Sequence, residues 1–161
     1  MDFSKCYTRA PKGAPDNYVL TRPVRFRWSD PPQWVADLFV SGGRSRQDDP
    51  IRTRDGALYL YDAIPPSVCL DIREGFHFDV SVAPSFKGAM AGACLHDFLY
   101  GHSKPISRVL GCTVRDVLAL ADKWFLSQMH ADSFLLKRTY YAAVRTFGYA
   151  FNRLGRAFSR K

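Results

Sequence analysis

Apolar residues change their spacing once along this chain, near Pro84, and that change limits the architectures open to it. Before it they alternate with polar residues, as in Val24-Arg25-Phe26-Arg27-Trp28 and Val68-Cys69-Leu70-Asp71-Ile72. Successive side chains of a strand point to opposite faces, so a repeat of two describes a sheet with one buried face. Segments 34–40, 57–61 and 76–82 read as further strands, and Arg73-Glu74-Gly75 reads as the turn before the last of them. Residues 41–50, SGGRSRQDDP, read as a surface loop. Residues 1–17, rich in proline, glycine and charge, read as a flexible arm or loosely held edge.

After Pro84 the spacing lengthens to three or four, the period of a helix. A first helix is expected over 89–101. Thr113 and Asp116 resemble a capping box, which starts a second helix with Val114, Val117, Leu118, Ala121, Phe125 and Met129 along one stripe. A third is expected from Ser133 toward the end, with Leu136, Tyr140, Val144, Phe147, Phe151, Leu154 and Phe158 on its apolar side. Strands come first and helices after, so a doubly wound βαβ sheet is excluded. The expected fold is α+β: N-terminal antiparallel strands, then about three C-terminal helices, with 18–161 as a single domain.

Charge and cysteine usage narrow the function classes. With 161 residues, 47% of them hydrophobic, the chain can bury a core of its own. No run of about 18 apolar residues is present to span a bilayer, and MDFSKCYTRAPKG lacks the apolar centre of a signal peptide. The reading is a soluble chain made in the cytosol. Cys6, Cys69, Cys94 and Cys112 show no C-x-x-C spacing, which points to free thiols. Much of the formal charge of +8 lies in the tail, where Lys137, Arg138, Arg145, Arg153, Arg156, Arg160 and Lys161 follow Phe134 with no acidic residue among them. Such a helix can bind nucleic acid or an anionic membrane, but its rings fall mostly on the apolar stripe, so core packing is favoured over nucleic-acid binding.

The chemistry concentrates in GACLHDFLYG, residues 92–101. On a helix His96 and Tyr100 share a face, and Asp97 is turned from them by about 100°. Asp122 sits beside the apolar stripe of the next helix, within reach of His96 across a helix pair. A carboxylate on one imidazole nitrogen fixes the tautomer and stabilises the imidazolium, which would make His96 a general base. Asp97 would then hold a hard cation, calcium or magnesium, with Asp79 and backbone carbonyls as further oxygen ligands. The same residues also suit a purely structural His–Asp–Tyr network. No G-x-S-x-G or phosphate-cradling G-x-x-x-x-G-K motif is present, and Ser81 and Ser85 read as turn residues. His102 and His130 read as surface residues near helix ends.

GFHFDVSVAP, ACLHDFLY, ALADKWFLSQM and TYYAAVRTFGYAF, taken in order over about residues 68–152, resemble an uncharacterised family of tailed-phage and prophage proteins. Gly75, Phe76, Asp79, Pro84, His96, Asp97, Leu99, Tyr100, Ala121 and Asp122 occupy places that match the family pattern, while Phe78 stands for its threonine and Ser81-Val82 for its alanine-serine. The resemblance implies a phage-encoded protein of the host cytoplasm or the virion, with a phage or host protein as partner. A second, local likeness is to secretory and parvoviral phospholipases, through HD-x-x-Y followed by an aspartate on the next helix. It implies a metal-assisted hydrolase of phospholipid-like esters, with His96 as base, Asp97 on calcium, Asp122 orienting His96 and Tyr100 in support. The glycine-rich calcium loop and the cysteines of those enzymes are missing here.

Overall fold

The computed structural model describes residues 2–14, 16–41, 48–61, 66–79 and 87–131. The third expected helix, with its aromatic stripe and basic tail, lies outside them. The described part is α+β, with antiparallel strands mostly in the N-terminal half and helices mostly after them.

Two sheets form. The larger has four strands in the order β3 (Val24–Trp28), β6 (Ser67–Ile72), β5 (Gly56–Tyr61) and β4 (Ile51–Arg52), all antiparallel. The alternation that predicts β3 is met residue by residue: Val24, Phe26 and Trp28 are buried, and Arg25 and Arg27 are exposed. The smaller sheet joins β1 (Tyr7–Arg9), β2 (Tyr18–Leu20) and β7 (His77–Phe78). Residues 2–9 are therefore no free arm. A short 3-10 turn at Phe3–Lys5 leads into β1, which pairs with β2, and Cys6 is completely buried. Of the strand expected over 76–82 only His77–Phe78 is one, and residues 80–82 lie outside the described set.

The segment 34–40 is a helix rather than a strand: α1 covers Gln33–Ser41. Its run of bulky and β-branched residues resembles strand composition, but its buried residues are Val35, Ala36 and Phe39, the spacing of one helical face. Pro31 and Pro32 precede it, and the N–H groups of Val35 and Ala36 both donate to the carbonyl of Pro32, which opens the first turn.

Among the described residues three helices follow β7: α2 (Lys87–Gly101), α3 (Ser103–Leu110) and α4 (Val114–Ala131). The capping box expected at α4 forms, with the Asp116 carboxylate accepting from the Thr113 N–H at 2.9 Å and the Thr113 hydroxyl accepting from the Asp116 N–H at 3.2 Å. The Thr113 hydroxyl, which also donates to that carboxylate at 2.7 Å, and then the Thr113 N–H hold the Asp116 carboxyl below its ordinary range. Helix α3 was not anticipated. It is only two turns long, and its signal was the buried pair Ile106 and Leu110 followed by Gly111, which closes the helix in the left-handed conformation at φ 66°.

The helices cover one face of the larger sheet. Trp28 stacks on Trp124 at 5.8 Å between ring centres, and Phe98 fills the space above Gly56, where a Cβ would stand 2.9 Å from its ring. Helices α2 and α4 pack closely. Gly92 faces Phe125 so tightly that a Cβ there would come within 2.7 Å of that ring. Among the described residues no helix is long and apolar enough to cross a membrane.

Candidate functional site

Close approach at Gly92 brings the polar residues one turn further along α2 against α4. The His96 Nε2 lies 3.2 Å from Asp122 Oδ1, and the Tyr100 hydroxyl donates to the same oxygen at 2.8 Å. The His96 and Tyr100 rings lie 4.0 Å apart with 30° between their planes, as expected for residues one turn apart on one face. Phe125 closes another side of the imidazole at 5.6 Å. Three of the five candidate residues therefore meet in space.

Asp97 stands on the other side of the imidazole, its Oδ1 3.8 Å from His96 Nδ1. That exceeds hydrogen-bond length, yet is close enough for attraction between opposite charges. Its Oδ2 accepts the backbone N–H of Asp79 at 2.8 Å, and Asp79 Oδ1 accepts from the Asn17 amide at 2.6 Å. One polar chain thus runs from α4 through α2 to the loop before β2. His96 feels two opposed influences. Burial is the larger single one and disfavours the imidazolium; Asp122 and Asp97 together overcome it, so its pKa is raised above the ordinary histidine value.

The exposure of these side chains is graded: 7% for Asp122, 12% for His96 and 36% for Asp97. A cleft of about 670 Å³ opens beyond Asp97, lined by Asp97, Tyr100, Phe76, His77, His102, Gly75, Gly101, Asp16, Arg54, Asp55 and Asp79. His96 is not on its wall. What reaches the cleft from the predicted constellation is Asp97, Tyr100 and Asp79.

Part of the cleft was missed in the sequence. His102 is no surface residue: its side chain is 15% exposed, Nδ1 lies 2.9 Å from the Phe98 carbonyl, and Nε2 lies 2.9 Å from Asp55 Oδ2. Its ring stacks on Phe98 at 4.4 Å. Asp55 comes from the turn between β4 and β5, 47 residues away in sequence, so spacing along the chain could not pair them. Asp16 enters from the loop before β2, and its carboxyl is raised by burial and then by Asp97 and Asp79, which His77 partly opposes. The Nδ1 of His77 is buried with no hydrogen-bond partner among the described residues.

A hard cation was expected on Asp97 and Asp79. Calcium takes six to eight oxygen ligands. Among the described residues no group of three or more His, Cys, Asp or Glu side chains is placed to hold a metal, and Asp97 and Asp79 are instead linked through a backbone N–H. Among the described residues Asp97 and Asp79 alone supply too few oxygen ligands for such an ion, and no step is routed through one.

Comparison of the chain with known families, with characterised proteins and with solved structures returns no match. Function therefore has to be read from the site itself.

Proposed function

We propose that this chain is a non-enzymatic binding module, of the virion-component or host-interaction kind implied by its likeness to a phage family, in which His96, Asp122 and Tyr100 hold α2 on α4. One observation carries the reading: both nitrogens of a nearly buried imidazole face carboxylates, and the ring does not reach the cleft. A general base needs one nitrogen within hydrogen-bond reach of the proton it removes. Here Nε2 is committed to Asp122 and Nδ1 is directed toward Asp97. An imidazole set between two acids instead ties two helices, because removing any one partner leaves the others buried and unpaired.

One observation favours a second reading, ester hydrolysis of phospholipid-like substrates. Asp97 touches both the cleft and the His96 environment, so it could relay a proton from a bound nucleophile to the imidazole, with Asp122 stabilising the charged ring. The two readings separate in one experiment on His96→Gln. The binding-module reading expects no hydrolysis of a short-chain phosphatidylcholine by the parent, with or without calcium, and a clear loss of melting temperature in the variant. Hydrolysis by the parent that disappears in a variant of unchanged fold would reverse the assignment.

A further inference from the structure

Both ring nitrogens of His102 face acceptors. Nδ1 lies 2.9 Å from the Phe98 carbonyl, which also accepts the His102 backbone N–H at 3.0 Å, and Nε2 lies 2.9 Å from Asp55 Oδ2. A carbonyl oxygen and an ionised carboxylate have no proton to donate, whereas a neutral imidazole carries one N–H and one lone pair. Whichever tautomer a neutral ring adopts, one of these two acceptors meets a lone pair at hydrogen-bond distance. The imidazolium, a donor at both nitrogens, satisfies both contacts. Arg54 Nε donates to the other Asp55 oxygen at 3.0 Å, the bond of a cation to an ionised carboxylate.

The contact bridges two parts of the cleft wall. Asp55 belongs to the turn that joins β4 to β5, and His102 stands between the end of α2 and the start of α3. On its β6 side the turn is held by the Arg73 N–H, which donates to the Asp55 carbonyl at 2.9 Å; on the helix side it is held by the bond to His102. The His102 ring stacks on Phe98 at 4.4 Å and stands 6.5 Å from Phe76, so it meets Asp55 in a fixed position. Negative charge on the cleft wall comes from Asp55 on the turn, Asp97 on α2, Asp79 after β7 and Asp16 in the loop before β2. Positive charge comes from Arg54 and from a protonated His77, while Tyr100 turns its hydroxyl to Asp122 and Lys104 of α3 is exposed and off that wall. With 15% of its side chain exposed, the His102 ring is within reach of solvent protons, and imidazole gains and loses its second proton near neutrality.

We propose that the Asp55–His102 contact is a pH-operated latch on the cleft: the imidazolium joins the β4–β5 turn to the end of α2, and loss of one ring proton to solvent releases that wall. The latch is separate from the His96 network and does not depend on whether the cleft binds or hydrolyses its ligand.

The test is NMR of the full chain, labelled with ¹⁵N, from about pH 5.5 to about pH 8.5. Long-range ¹H–¹⁵N spectra count the protons on the His102 ring, and amide exchange reports the turn through the N–H groups of Gly56, which donates to Thr53 Oγ1, and Arg73. Both ring nitrogens should be protonated at the acid end. As the ring loses a proton, protection of the two amides should fall at least about threefold, the scale of one part-exposed hydrogen bond. In Asp55→Asn the side-chain amide can donate to Nε2 of a neutral ring whose Nδ1–H still meets the Phe98 carbonyl, so protection should stay level with pH. His102→Gln, whose amide donates at every pH, should behave in the same way. His96→Gln should leave the fall in place, which separates the latch from the α2–α4 network. The same fall in Asp55→Asn and His102→Gln as in the parent would overturn the proposal. So would a parent ring with a single proton at the acid end, or one that keeps both protons to the alkaline end and is therefore a fixed tie.

Discussion

His96, within α2, and His102, just past its end, are six residues apart, and their surroundings differ. His96 belongs to a compact motif, yet its ring lies between α2 and α4, off the cleft wall. His102 belongs to no motif, yet its ring forms part of the cleft and reaches Asp55 across the fold. A short motif identifies residues that meet; whether they face solvent depends on what packs over them. The HD dipeptide splits in this way: His96 turns inward and Asp97 outward, as the 100° step of a helix requires.

The largest expected effect comes from breaking the inner pole. Asp122→Asn removes the carboxylate that His96 and Tyr100 share, leaving two buried polar side chains with a weaker acceptor, and should cost about 2–3 kcal/mol in denaturant unfolding. A loss within the range of a surface pair, below about 1 kcal/mol, would show that the network does not tie the helices.

His96→Gln should be destabilising in a pH-dependent way. The folded-state pKa of His96 is raised, so its contribution is fully present below the unfolded value of about 6.5 and is lost as pH rises through the folded value. The gap in melting temperature between parent and variant should therefore be widest in mild acid and narrow toward alkaline pH. A gap that widens with pH would mean that the ring is held neutral.

Gly92→Ala examines the close approach that sets up the network. The methyl gains helix propensity of about 1 kcal/mol but presses on Phe125, and overpacking costs about 1–3 kcal/mol. A net loss of about 1 kcal/mol is expected, together with a shift of the His96 ring resonances in NMR spectra. Tyr100→Phe takes one of the two donors from Asp122 and should cost about 1–2 kcal/mol, again by denaturant unfolding. The smallest effect belongs to the cleft. Asp55→Asn weakens a part-exposed pair with His102 and should change stability by about 1 kcal/mol or less, with no change in the pH dependence assigned to His96.

How much of this was legible depended on distance along the chain. The pairing of His96 with Asp122 could be anticipated because each residue lies at a defined place on a periodic helix, and helices near one another in sequence tend to be neighbours in space. The hidden Asp55–His102 contact crosses from a hairpin turn to a helix end, and no period links those. The misread segment 34–40 has another cause: in a short apolar run the spacing of buried residues is masked when the exposed side also carries Trp34 and Val40.

What the amino-acid order determined by itself is local and periodic: alternating strands, an amphipathic α4 with its capping box, and a histidine and two carboxylates set at angles decided by 3.6 residues per turn. What only the tertiary structure decided is which of those groups water can reach. Exposure depends on the surfaces laid over a residue by distant parts of the chain, and here Phe125 covers the imidazole while Asp97 is left at the mouth of a cleft.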